Sequence, residues 1–224
     1  MERADNITVV ILTKNEEKDI FDAIKNAQKL TDKVLIVDSG STDKTVALAE
    51  ANNAKVVYRA WDNDFAAQRN FALQHVDTNW ILYLDADERM NDGLIADIAK
   101  ATVSDREALY RFERRNSAFG RDFKYGVLGP DSVVRLFPSK GVKWEGKVHE
   151  RPVGEFPEKT LKGYLKHYTY ASFDEYLEKM NKYASIGAED RKLRGKKCSV
   201  LKDLVFRPAF AFFKMYFLKA GVLE

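Results

Sequence analysis

The sequence contains Trp80-Ile81-Leu82-Tyr83-Leu84-Asp85-Ala86-Asp87-Glu88-Arg89, an apolar run of strand length that stops at two carboxylates. Side chains two positions apart on a strand point to the same face, so we expect Asp85 and Asp87 to aim at one cation or ligand. Carboxylate oxygens are hard ligands that suit Mg²⁺ or Mn²⁺, especially beside phosphate oxygens. Two solvated acids in a turn would show the same pattern, and the segments upstream favour the metal or ligand site.

Strand-like and helix-like segments alternate ahead of this stretch. Strands are predicted at residues 7–12, 34–37 and 55–58, and helices at 17–30, 44–52 and 66–75. The first strand is rich in β-branched residues, which is typical of a parallel strand covered on both faces. The alternation predicts an α/β fold with a mostly parallel sheet flanked by helices.

Polar residues stand at the carboxyl ends of three of these strands, namely Thr13, Asp38 and Asp85. Ligands of open α/β sheets bind beyond the carboxyl ends of the strands, so we expect these residues to converge on one crevice. A carboxylate there can accept from ribose or from a base, and Arg69 near a helix start can face phosphate, which favours a nucleotide. Simple helix capping by Thr13 and Asp38, with Arg69 as a surface charge, is the alternative.

The order of elements becomes mixed in the second half of the chain. Strands are predicted at residues 108–114, 133–138 and 160–168, and helices at 93–102 and 172–192. Ser172 and Glu175 form a capping-box pattern at the start of the last of these helices. The polar, aromatic and glycine-bearing segment 116–130 is interpreted as an acceptor-binding loop or lid.

A basic run at residues 191–197 leads into the apolar, aromatic-rich segment 204–218. This combination is typical of a helix that lies in a membrane interface, although an ordinary packing helix remains the alternative. We therefore expect a catalytic domain at residues 1–170 and a C-terminal helical region at 171–224 in peripheral contact with a membrane.

Composition excludes several classes of protein. The 224 residues carry a net charge of +3, which is too small to indicate nucleic acid as a partner. The single cysteine, Cys198, rules out an internal disulfide framework and suits a reducing compartment. We find neither a signal-peptide core nor an apolar run of spanning length, so we expect a cytoplasmic protein at the inner face of the cytoplasmic membrane.

Three segments together resemble the signatures of family 2 glycosyltransferases: residues 9–16, 37–45 and 84–88. Two further segments, residues 61–70 and Val148-His149-Glu150, resemble more narrowly the lipopolysaccharide inner-core β-1,4-glucosyltransferase branch. The resemblance implies the Rossmann-like GT-A fold, a nucleotide-sugar donor and a divalent cation, Mg²⁺ or Mn²⁺.

The resemblance also implies roles for individual residues in binding the donor. Those matching nucleotide-binding positions are Thr13, Asn15, Asp38, Arg69 and Asp85. Of these, Thr13 and Asp38 would contact the nucleobase. Asp85 would reach the ribose or the metal, Asp87 would bind the metal, and His167 would be a late metal ligand.

Family 2 enzymes invert configuration by direct displacement, which requires a base for the acceptor hydroxyl. We expect Glu150 to be this base, because it follows the half-buried-looking run Gly146-Lys147-Val148-His149, which could hold it at the sugar pocket. Asp131 and Glu145 are rivals, and the chain departs from the family pattern in lacking an obvious Glu-Asp pair. His149 would orient the base or the acceptor. For His149 and His167, a structural hydrogen bond is the competing interpretation.

The predicted function is the transfer of a hexose, glucose from UDP-glucose, to a lipid-linked saccharide such as lipopolysaccharide inner core. One alternative is an aspartate-based phosphatase, but Arg89 stands where such enzymes usually have Thr or Val. Another is a membrane-associated domain that binds nucleotide without catalysis, which would not require Asp38, Asp85 and Asp87 together. The sequence leaves the nucleotide, the sugar, the accepting hydroxyl and the oligomeric state open.

Overall fold

The computed structural model describes residues 4–103, 107–146, 150–193, 195 and 198–224. The chain divides into two compact units, Met1–Arg114 with Ser132–His167, and Arg115–Asp131 with Tyr168–Glu224. The domain boundary predicted at residue 170 stays a prediction.

Strands and helices alternate through the first half, as the sequence predicts. The elements are β1 (Ile7–Thr13), α1 (Ile20–Ala27), β2 (Val34–Asp38), α2 (Thr45–Ala51), β3 (Lys55–Tyr58), α3 (Phe65–Leu73), β4 (Trp80–Asp85), β5 (Glu88–Met90) and α4 (Asp92–Val103). The predicted helices 17–30 and 44–52 are shorter at both ends in the structure, and their first residues belong to the polar loops after β1 and β2.

The second half is richer in strands. Its elements are β6 (Leu109–Ala118), β7 (Arg121–Asp122), β8 (Asp131–Pro138), β9 (Val142–Glu145), β10 (Arg151–Gly154), β11 (Glu158–Tyr170), α5 (Phe173–Leu193) and α6 (Arg207–Phe213). Wider π-helical turns flank α6 at Val200–Phe206 and Lys214–Leu218.

The main sheet has the strand order β3-β2-β1-β4-β8-β6-β11-β5, and β7 pairs with β6. The neighbours β3, β2, β1 and β4 are parallel, whereas β8 joins β4 and β5 joins β11 in antiparallel fashion. The α/β fold with a parallel first half is confirmed. Strands β9 and β10 form a separate antiparallel pair.

Both faces of the parallel half are covered. Ile7, Val9 and Ile11 of β1 belong to one apolar cluster together with residues of α1 and α4. Val10, which points to the other face, belongs to a second cluster with residues of α3 and β9. This two-sided burial explains why β1 shows no polar alternation, and each fully buried aliphatic side chain contributes about 1.5–3 kcal/mol.

The segment predicted as an acceptor-binding loop is partly strand. Strand β6 continues to Ala118 and pairs with β7, through Ser117 with Asp122 and Ala118 with Arg121. The prediction of a loop from residue 116 is therefore wrong at its start. The strand predicted at residues 108–114 is confirmed and extends to Ala118; the polar residues Arg115, Asn116 and Ser117 favoured a loop because they lack an apolar run.

The second unit contains the capped helix and the apolar C-terminal segment. Ser172 Oγ accepts from Glu175 N at 3.2 Å, and Glu175 Oε2 accepts from Ala171 N at 2.8 Å, so the predicted cap is confirmed in slightly shifted form. No helix among the described residues combines the length and the apolar character needed to cross a membrane. The large apolar side chains from Val200 to Leu223 are mostly exposed.

Candidate active site

The carboxyl ends of three parallel strands meet at one edge of the sheet. Thr13 pairs with Asp38 in the register of β1 and β2, and Leu12 pairs with Asp85 in that of β1 and β4. The structure thus brings together the three residues that the sequence predicts to converge. Their convergence follows from strands of matched length that end on polar residues.

Asp38 organises the loop that follows β2. Its Oδ2 accepts from Thr13 Oγ1 at 3.0 Å and from Ser41 Oγ at 2.5 Å. Its Oδ1 accepts from the backbone N–H groups of Gly40 and Ser41 at 2.8 and 2.9 Å. Gly40 has φ +91°, a conformation that favours glycine, so it permits this tight turn. Asp38 therefore closes its own loop and does not cap α2.

The hydrogen bonds to Asp38 also determine its ionisation. Burial acts to raise its pKa, but the bonds from Ser41, Gly40 and Thr13 outweigh burial and lower the pKa below the ordinary 3.8. The exposed Asn15 joins the same loop, because its Oδ1 accepts from Thr42 N at 2.8 Å. The loop is thereby held in one conformation at the edge where a ligand would bind.

Arg69 is buried at the centre of the site, with 3% of its side chain exposed. Helix α3 positions it, and Asp64 caps this helix by accepting from Ala67 N. The guanidinium donates from Nη2 to Asp85 Oδ1 and from Nε to Glu150 Oε1, each at 3.1 Å. Among the described residues, its third nitrogen, Nη1, has no hydrogen-bond partner.

Aromatic rings form the wall beside Arg69. The guanidinium carbon lies 4.8 Å from the centroid of Trp144 and 5.4 Å from that of Tyr83, within the range of cation–π attraction. The Tyr83 hydroxyl donates to the carbonyl of Arg69 at 2.7 Å. These contacts fix the arginine in an apolar setting, where its charge is poorly screened.

Asp85 is shared by two arginines. Its Oδ2 accepts from Arg135 Nη2 at 2.6 Å, while its Oδ1 binds Arg69. Burial opposes ionisation, but Arg135 and Arg69 hold the pKa of Asp85 well below its usual range. Sequence reasoning missed Arg135, whose only local signal is a charge within the apolar run Val133-Val134-Arg135-Leu136-Phe137.

A fully buried acid, Glu88, contacts the backbone of Asp85. Its Oε2 accepts from Asp85 N at 3.0 Å, and its Oε1 accepts from Arg114 Nη1 at 3.2 Å. Burial and the nearby charge of Asp85 raise the pKa of Glu88, although Arg135 and Arg114 act against this. Sequence reasoning also missed Glu88 and Arg114. Adjacency to the acidic pair was the available signal for Glu88.

Asp87 contacts different residues from those that Asp85 contacts. Strand β4 ends at Asp85 and a turn follows, so the expectation that both acids alternate on one strand is wrong. Asp87 Oδ2 instead lies 3.3 Å from His167 Nε2. Burial lowers the pKa of His167, but the hydrogen bond and charge of Asp87 outweigh burial and raise it. The described residues contain no cluster of three or more metal-ligating side chains.

The three candidate bases differ in their surroundings. Glu150 is mostly buried, with 16% of its side chain exposed, and contacts Arg69. Glu145 is exposed and pairs with Lys143 at 2.8 Å, on the face of β9 opposite Trp144. Asp131 is exposed at the first position of β8, in the second unit. His149 lies outside the described residues.

Comparison with known proteins assigns the chain to a family. The sequence model of the family described as glycosyl transferase family 2 matches residues 8–167. The chain belongs to glycosyl transferase family 2. An uncharacterized glycosyltransferase of Rickettsia typhi is 31% identical over 95% of this chain and 77% of that protein.

One further relative and one solved structure are similar to this family 2 glycosyltransferase. The lipopolysaccharide core biosynthesis glycosyltransferase LpsC of Rhizobium meliloti is 28% identical over 94% of this chain and 80% of that protein. The crystal structure of S. aureus TarS 1–349 matches with a TM-score of 0.54, 16% identity and coverage of 73% of this chain and 60% of that one. The predicted GT-A fold is confirmed, and the phosphatase alternative loses its support.

Replacing Asp38 by Asn tests the loop after β2. We expect the substitution to lower the free energy of unfolding by about 2 kcal/mol at neutral pH, because an amide cannot accept all four hydrogen bonds. Since the folded-state pKa of Asp38 is lowered, its stabilisation is present above the ordinary pKa of 3.8 and is lost as pH falls through the lowered value. The difference from wild type should therefore shrink below about pH 4 in urea unfolding.

Asp5→Asn, at an exposed position, serves as the control and should unfold like wild type at each pH. A difference for Asp38→Asn that stays constant down to the lowest pH would contradict the role of the ionised carboxylate.

Proposed function

We propose that this family 2 glycosyltransferase transfers a hexose, glucose from UDP-glucose, onto a lipid-linked saccharide such as lipopolysaccharide inner core, with inversion. The observation that carries the proposal is the bridge made by Arg69. One buried guanidinium joins Asp85, at the edge expected for the donor, to Glu150, the candidate base. The edge expected for the donor and the candidate catalytic base therefore belong to one cluster of charged side chains.

The donor would bind along the carboxyl edge of the parallel strands. Thr13, Asn15 and Asp38 would hold the nucleobase, because the hydrogen bonds that Asp38 accepts fix the loop after β2 at this edge of the sheet. Arg69 would bind phosphate, because its Nη1 is buried without a partner among the described residues and an unsatisfied buried donor is costly.

A divalent cation, Mg²⁺ or Mn²⁺, would be held by Asp87 and His167. Their contacting atoms, one oxygen and one nitrogen, lie 3.3 Å apart and fit an ion completed by diphosphate oxygens and water. Asp85 is less suited as a direct metal ligand, since each of its oxygens accepts from an arginine. The bound ion would neutralise charge on the departing nucleoside diphosphate.

Glu150 would act as the base. It takes the proton of the acceptor hydroxyl while that oxygen bonds to C1 of the hexose and the C1–O bond to the diphosphate breaks. Its partial burial beside Arg69 favours it over Glu145, which pairs with Lys143 on the solvent face of its strand. His149 would orient the base or the acceptor.

The acceptor side is proposed from the C-terminal segment and from the LpsC relative. Phe210, Phe213 and Phe217 are about half exposed or more, which is unusual for aromatic side chains. Lys214 and Lys219 lie among them and are also exposed. An apolar surface with interspersed cations suits a bilayer with anionic headgroups, so region 171–224 would hold catalytic region 1–170 at the inner face of the cytoplasmic membrane.

Titration of the purified protein with UDP, ADP, GDP and dTDP, each with and without Mn²⁺, tests the donor. We expect UDP to be the one nucleotide of the four that binds, and we expect its affinity to be higher with Mn²⁺ than without. In Asp87→Ala this enhancement should disappear, because the ion loses its carboxylate, while circular dichroism stays unchanged. Equal Mn²⁺ enhancement in wild type and Asp87→Ala would refute the metal role, and failure of every nucleotide to bind would refute the proposed function.

Replacing Glu150 by Gln tests the base. We expect UDP binding within about threefold of wild type and a loss of glucosyl transfer of about 100-fold or more, since the proton acceptor is removed. Glu145→Gln is the matched control and should retain transfer. The assignment fails if Glu150→Gln turns over normally or if Glu145→Gln is the inactive variant.

Flotation with vesicles tests the membrane contact. We expect wild type to float with vesicles containing phosphatidylglycerol and much less with phosphatidylcholine alone. A triple variant, Phe210→Ser, Phe213→Ser and Phe217→Ser, should bind at least about tenfold more weakly, because it loses insertable apolar area. Phe21→Ser, at a comparably exposed phenylalanine of α1, is the control. If the triple variant floats with the vesicles as strongly as wild type, the proposed membrane contact is wrong.

A further inference from the structure

We propose that Arg135 binds the donor diphosphate together with Arg69, and that Asp85 is the anchor that holds both guanidinium groups in place. This inference rests on the proposed nucleotide-sugar donor. It adds a residue that the sequence motifs do not include, and it gives Asp85 a positioning role.

The geometry is that of a clamp with one carboxylate at its centre. Asp85 uses one oxygen for Arg69, at 3.1 Å, and the other for Arg135, at 2.6 Å. The arginine side chains are 3% and 9% exposed, whereas that of Asp85 is 32% exposed. The carboxylate is therefore the most exposed of the three side chains.

The scaffold places Arg135 there through an antiparallel pairing. Leu82 of β4 pairs with Leu136 of β8, and the two strands are antiparallel. The preceding residue of β8, Arg135, therefore lies toward the carboxyl end of β4, where Asp85 stands. Glu88 keeps Asp85 in position by accepting from its backbone N–H at 3.0 Å. The clamp is thus built on two strands and helix α3, which hold side chains more rigidly than loops do.

Stability alone is a weak reason for this buried cluster. Replacing a buried ion pair by well-packed apolar residues is often neutral or stabilising, because desolvation of the charges offsets their attraction. The cluster is also not saturated within the described residues, because Arg69 Nη1 has no partner. A buried donor in this position fits an acceptor from outside the chain.

A diphosphate supplies what the cluster lacks. Guanidinium groups match phosphate oxygens in a two-pronged geometry, and such charge-assisted hydrogen bonds are among the strongest in proteins. As the C1–O bond breaks, negative charge grows on the departing diphosphate. Cations already fixed by Asp85 stabilise that charge without reorganising, which is the most effective way for a site to lower a barrier.

The test compares UDP with uridine, which lacks phosphate, by calorimetric titration in EDTA. Wild type should prefer UDP. Arg135→Gln should weaken UDP binding by about 10- to 100-fold, the range expected for a lost hydrogen bond to a charged group, while uridine binding stays within about twofold. The UDP affinity of Arg135→Lys should lie between those of wild type and Arg135→Gln, because lysine keeps the positive charge but cannot donate two parallel hydrogen bonds. Arg111→Gln removes an arginine that pairs with Glu158 and should match wild type.

The outcomes separate this inference from the function on which it rests. Uridine and UDP binding equally well to wild type would overturn the diphosphate clamp, whether or not Arg135→Gln folds, and would leave the nucleoside site standing. Equal weakening of both ligands by Arg135→Gln, or no weakening of either, would also overturn it. Failure of wild type to bind either ligand, in EDTA and also with Mn²⁺, would overturn the proposed function and the clamp with it.

Discussion

The carboxylate of Asp85, shared between Arg69 and Arg135, is the contact on which the rest of the site depends. Strand β4 supplies the acid, helix α3 and strand β8 supply the arginines, and Glu150 joins through Arg69. An unpaired charge at this depth would be costly, so each member needs the others. The sheet order β1-β4-β8 is what brings them together.

The donor edge combines two parts of different origin. The loop of Asp38 is local, because most of its hydrogen bonds close within three residues and Gly40 permits the turn. The Asp85 cluster is assembled from segments up to 81 residues apart, since Arg69 binds Glu150. A local loop forms wherever its residues occur together, whereas the cluster exists only in the completed sheet.

The C-terminal segment follows a different physical logic from the family 2 domain. Its aromatic side chains are exposed in the structure, and no described helix is long and apolar enough to cross a bilayer. Contiguous apolar surface in contact with water is unfavourable, which is why such surfaces usually mark an interaction site. Interspersed lysines add an attraction to anionic surfaces that weakens as salt increases.

The alternation of strands and helices, and the polar ends of β1, β2 and β4, could be predicted from the residues alone. These depend on apolar run length and on residues with particular backbone preferences, which are local properties. Only the tertiary structure revealed Arg135, Arg114 and Glu88 as partners, and separated the contacts of Asp87 from those of Asp85. The pairing of β8 with β4 joins residues more than 50 positions apart, and such long-range packing is encoded by no local pattern.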